Sequence, residues 1–119
     1  MPRPPIARLK EKHPVSYVVV ATMIAKPGQE ELVEKTLRDA AADVHAEPGC
    51  ARWALHRKTG STGHFVMVEK WESKEALHTH GKGAALAGIG RALKDALEGP
   101  ADVAVFDALP AGDPEKGAL

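Results

Sequence analysis

The stretch "CARWALHRKTGSTGHFVMVEKW", Cys50 to Trp71, decides how this chain folds. Its first part alternates Ala51, Trp53, Leu55 and Arg57 against Arg52, Ala54 and His56; "TGSTG" then interrupts it, and "HFVMVEKW" resumes the period of two. Two half-buried strands around a short loop of turn residues make an antiparallel hairpin. In the second strand Phe65, Met67, Glu69 and Trp71 share one face, so a carboxylate is aimed the same way as three large apolar side chains.

Working outward, the hairpin is preceded by a helix and followed by one. From Gln29 the apolar positions Leu32, Val33, Leu37, Ala40, Ala41 and Val44 recur at helical spacing, with Glu30 and Glu31 at the start and His45 at the end. "EPG" at 47–49 stops it, since Pro48 cannot continue a helix and Gly49 readily takes positive φ. Before it, "SYVVVATMIA", Ser16 to Ala25, is β-branched and apolar on both faces, and "KPG" ends it as a turn. Beyond the hairpin, Ser73 is placed to cap a helix through His80. Gly81 and Gly83 interrupt it before a longer helix carrying Leu86, Ile89, Leu93 and Leu97. "EGP" at 98–100 stops that helix, and "DVAVFDAL", Asp102 to Leu109, is a last strand.

The order βαββαβ predicts an α+β, ferredoxin-like fold: one antiparallel four-stranded sheet with helices on one face. The first strand is apolar on the other face too, and a second copy laid against that face, giving a homodimer, is the simplest cover. Residues 1–15, with Pro2, Pro4, Pro5 and Pro14 among basic side chains, read as an extended arm, residues 16–109 as the folded domain and residues 110–119 as a polar tail.

Composition removes several function classes. Sixteen basic and sixteen acidic residues cancel, so no net field gathers nucleic acid or an anionic membrane. Cys50 is the only cysteine, which excludes an internal disulfide and a cysteine zinc site. The N-terminus lacks the apolar run of a secretory signal and no segment reaches spanning length, which places the chain in the cytoplasm as an expectation.

Among the motifs, "GKGAAL" and "GIGRAL" lack the preceding strand and third glycine of a dinucleotide loop and read as small residues for close packing. His78 and His80, two residues apart on a helix, point to nearly opposite sides and make a poor metal pair. Glu69 and His80 remain. His80 falls three residues after Leu77 and four after Ala76, on their face. The bland alternatives are an ion pair of Glu69 with Arg52, Arg57 or Arg91, and a backbone carbonyl satisfying His80. Against them stands the lining of Trp53, Phe65, Met67 and Trp71 and the room left by a broken helix.

These residues also carry a family likeness. "VEKWESKEALHTH", Val68 to His80, resembles the signature of the antibiotic biosynthesis monooxygenase family, in which a strand ending in Glu-x-Trp leads into a short helix ending in His. "AKPGQEELVEKTLRDAAADVHAEPGCARWALHR", Ala25 to Arg57, is similar to the family's other typical block, and the resemblance spans roughly residues 17–109. It implies a ferredoxin-like domain paired as a dimeric α/β barrel. It also implies a monooxygenase that oxidises a quinol or phenolic aromatic substrate with dioxygen and no cofactor. His80 would be the base or hydrogen-bond donor and Glu69 would orient it or a partner, with Trp71, Trp53, Met67, Phe65, Leu77 and Thr22 around the substrate. The asparagine and tryptophan of haem-degrading relatives are matched here by Ala21 or Thr22 and by His80, which disfavours haem chemistry. Two rival readings share the fold: a non-catalytic dimer that binds an aromatic metabolite, and a cofactor-free isomerase.

Overall fold

The computed structural model describes residues 16–119, so the extended arm expected over 1–15 lies outside the described residues. Its elements are β1 (Tyr17–Ile24), α1 (Glu30–His45), β2 (Cys50–Arg57), β3 (His64–Trp71), α2 (Lys74–Gly81), α3 (Ala84–Ala92) and β4 (Asp102–Asp107). Strand order is β2-β3-β1-β4 with every neighbour antiparallel, the ferredoxin-like topology that the hairpin between two helices dictates.

Register follows parity. β3 is central, and it sets Glu69 opposite Val19 on one side and Trp53 on the other, with Met67 between Ala21 and Leu55. These residues face the helices. There α1 buries Val33, Leu37 and Val44, and α3 buries Ile89. Trp71, Phe65, Leu37 and Met67 are among the fully buried side chains, each contributing on the order of 1.5–3 kcal/mol. The opposite face presents Val18, Val20 and Thr22 from β1, Val66 and Val68 from β3, and Ala104 and Phe106 from β4, with nothing among the helices to cover it.

The second half departs from the simplest periodic reading. α2 begins as predicted, with Ser73 Oγ accepting the Ala76 N–H at 3.0 Å. The helix expected to carry Leu86 through Leu97 instead ends at Ala92, because the chain must turn back to β1. Leu97 bridges Ala25, Lys26 N–H donates to Ala96 O and Glu98 N–H donates to Ile24 O, both at 2.8 Å. Gly88 and Gly90 lower the helical preference of this segment, and sheet pairing prevails. The helices therefore leave β4 bare on their own side, where Val103 and Val105 are 58% and 53% exposed. Residues 110–119 form a turn in which Asp113 Oδ2 accepts the N–H groups of Glu115 and Lys116, and Lys70 Nζ donates to Leu119 O.

Candidate functional site

Among the described residues, Glu69 and His80 are the only buried charged or polar side chains, 6% and 5% exposed. Parity on β3 puts Glu69 inside; the turn of α2 above it does the same for His80. Trp71 joins them. Its indole N–H donates to Glu69 Oε1 at 2.9 Å, and its ring stacks on the His80 imidazole with centroids 4.5 Å apart and planes 28° from parallel. Burial pushes the Glu69 carboxyl above the usual carboxylate range, against the pull of the Trp71 N–H and the neighbouring imidazole.

The partner of His80 is Glu47, which nothing in the sequence reading singled out. His80 Nδ1 lies 2.8 Å from Glu47 Oε1. An ionised carboxylate only accepts, so Nδ1 carries the proton and donates it, leaving Nε2 as the basic position of the ring. Glu47 sits in the "EPG" turn, which also explains the need for glycine at 49. Gly49 has φ +81°, and a Cβ there would stand 2.4 Å from the Ala76 Cβ of α2. Glu72 N–H donates to Gly49 O at 2.9 Å. This close approach of the turn to α2 brings Glu47 under His80.

Glu69 and His80 open onto a cavity of about 670 Å³ between the sheet and the helices. Val19, Ala21 and Met23 form its floor along β1, Met67 and Trp53 its far wall, and Leu37, Leu77, Leu86, Ile89, Leu93 and Leu97 its roof. Trp53 is fixed from behind by α1: its ring meets the His45 ring edge-on at 6.4 Å, and His45 Nε2 lies 3.0 Å from its carbonyl oxygen. A wider cleft of about 890 Å³ beneath residues 106–119 contains none of the candidate site residues.

The structure thus brings together Glu69, His80, Trp53, Met67 and Leu77 at one cavity. It separates three others. Trp71 backs the site without lining it, packed behind His80 at 0% exposure. Phe65 shares the inward face but lies two rungs along β3, beside Arg57 and away from the cavity. Thr22 pairs with Val66 and Asp102 and has the parity of Val18 and Val20, so it faces the opposite side of the sheet. Among the described residues no ion pair joins Glu69 to Arg52, Arg57 or Arg91: Arg57 binds Glu34 at 2.8 Å and Arg52 donates to Ala51 O. Among the described residues no three histidine, cysteine, aspartate or glutamate side chains converge as metal ligands would. No helix among them is long and apolar enough to cross a membrane.

The chain and its fold are similar to those of several known proteins. Residues 16–89 match the family model described as antibiotic biosynthesis monooxygenase. A curated Bacillus subtilis relative, "Putative monooxygenase YcnE", is 31% identical over 86 residues, covering 72% of this chain and 90% of the relative. Among solved structures, PA3566 from Pseudomonas aeruginosa superposes with a TM-score of 0.74 at 27% identity, over 80% of this chain and 95% of that one. A Caulobacter crescentus structure described as a putative antibiotic biosynthesis monooxygenase gives 0.75 at 28% identity, over 87% and 98%.

Proposed function

This chain belongs to the antibiotic biosynthesis monooxygenase family, and from that premise we propose that its cavity oxidises a quinol or phenolic aromatic substrate with dioxygen, without a cofactor. The observation that carries the reading is the buried His80, tied through Nδ1 to Glu47 and set at the end of an apolar cavity. Nε2 takes the phenolic proton, and the apolar walls keep the resulting phenolate from the water that would otherwise solvate it. The phenolate passes an electron to dioxygen, the radical pair recombines at a ring C–H carbon to a peroxide anion, and Nε2 returns its proton to give the hydroperoxide. Loss of water then leaves one oxygen atom on the ring as a carbonyl and the other in the water released.

Their positions support roles for the remaining residues. Glu47 orients the imidazole and steadies its protonated form, as an acceptor behind a catalytic histidine does. Trp71 holds the ring plane by stacking. Glu69, which lines the cavity with His80, serves as a hydrogen-bonding neighbour to the substrate oxygen. Trp53 and Met67 supply flat and polarisable contacts for an aromatic ring. Two copies joined through the open valine face complete the proposed assembly, since that face leaves Phe106 49% exposed.

The test of the base role is spectroscopic and needs no turnover. A naphthalenediol mixed anaerobically with the protein, at a pH where the free ligand is neutral, should show the absorbance of the monoanion when bound. His80→Ala should bind the neutral form with similar affinity. A neutral bound ligand in the wild type would remove the base from the mechanism.

A further inference from the structure

The cavity differs in charge at its two ends. The inner end is the Glu69 and His80 pair, level with Val19 in the sheet register. The outer end is set where the chain after α3 rejoins β1: Leu97 bridges Ala25, and Lys94, three residues earlier, lines the cavity there. From Val19 to Ala25 an extended strand covers about 20 Å at roughly 3.3 Å per residue. Between these ends the walls are apolar, formed by Ala21, Met23, Met67 and Ile89.

Lys94 is the only lysine or arginine in that lining. The ion pairs found among the described residues are Lys35–Asp39, Arg38–Glu34, Arg57–Glu34 and His80–Glu47, so neither Asp95 nor Glu98 beside it engages its ammonium. Lys94 is exposed and lines the cavity, so it presents one positive charge to whatever fills the slot. A single ammonium, with no arginine fork and no second cation, suits a singly charged carboxylate better than a phosphate.

We propose that the cavity selects an elongated aromatic acid, with an ionisable hydroxyl on the aromatic head toward His80 and a carboxylate on a spacer toward Lys94. The head end rests on the function proposed above; the carboxylate end stands on the placement of Lys94 alone. Because the mouth is exposed, the pairing contributes modestly and is screened by salt.

The test compares a hydroquinone bearing a carboxyalkyl chain with its methyl ester, read by quenching of the protein's tryptophan fluorescence. Wild type, Lys94→Met and Lys94→Glu are compared. The acid should bind about three- to fivefold more tightly than the ester at low salt, the size of an exposed ion pair, and the advantage should shrink as salt is raised. Lys94→Met should remove the preference and Lys94→Glu invert it, with ester affinity the same in all three. Equal binding of acid and ester by the wild type would overturn the proposal, as would equal weakening of both by Lys94→Met or no binding of either. Oxygen uptake with the same ligands separates the two readings. Acid preference without uptake leaves this inference standing and counts against oxygenation of that ligand; uptake without acid preference overturns this inference and supports the oxygenase.

Discussion

Substituting Gly49 by alanine tests the contact that assembles the site. Two costs are visible in the structure. The backbone at φ +81° is the left-handed region, which costs a residue with a Cβ about 1–2 kcal/mol. The new Cβ would lie 2.4 Å from Ala76 Cβ, and forcing that atom into a packed contact adds roughly 1–3 kcal/mol. Gly49→Ala should therefore lose about 2–5 kcal/mol, a large share of the stability of a small domain. The next nearest atoms, Ala76 Cα and Glu72 Cβ, stand at 3.8 and 4.0 Å, so removing the Ala76 methyl clears the clash. Ala76→Gly alone should cost about 1 kcal/mol as a glycine in a helix. The double variant then retains only the backbone strain and the helix cost, about 2–3 kcal/mol, and the coupling between the sites equals the clash. Urea unfolding followed by far-ultraviolet circular dichroism gives all four corners of the cycle. Additive effects, or a double variant no more stable than Gly49→Ala where the single change costs over 3 kcal/mol, would refute the claim that this turn abuts α2 as described.

The remaining predictions concern the site and its supports. Because the Glu69 carboxyl titrates above its unfolded value, the folded state keeps a proton that the unfolded state releases; the associated stability is whole below the ordinary carboxylate range and is lost as pH rises through the raised value. Glu69→Gln keeps an oxygen acceptor for Trp71 and has no such proton, so its urea midpoint should lack the decline expected of wild type as pH rises above the ordinary carboxylate range; parallel profiles would contradict this. Trp71→Phe leaves Glu69 Oε1 without its donor and should destabilise by about 1–3 kcal/mol before any cavity cost, read by the same denaturation. Ser73→Ala removes the cap on α2 and should cost about 1 kcal/mol. Glu47→Ala should lower kcat roughly 10- to 100-fold while KM stays within about twofold, since it acts through His80 and not on the substrate; a rise in KM alone would argue for a binding role.

Much of this was legible in the residues, and the parts that were not have a common cause. Alternation in "HFVMVEKW" gives both the hairpin and the inward Glu69, because a strand's parity is a local property. The spacing of Ala76, Leu77 and His80 gives the inward histidine for the same reason. Glu47 was hidden because its local signal is that of a helix stop. Its pairing with His80 arises only when Gly49 lets the turn meet α2, a contact between segments remote in sequence. Thr22 shows the converse: the resemblance sets it around the substrate, while its parity with Val18 and Val20 puts it on the other face of the sheet. The end of α3 was overestimated because the apolar spacing continues to Leu97, and only pairing with Ala25 shows that the last of those residues belongs to the sheet edge.

The most direct measurement is oxygen consumption by metal-stripped protein across hydroquinones, naphthalenediols and anthrones, with His80→Ala alongside. Uptake above the spontaneous rate for at least one compound, abolished in His80→Ala although that variant still binds it, is the predicted result. No uptake above the spontaneous rate for any of them, or uptake unchanged without His80, would contradict the account.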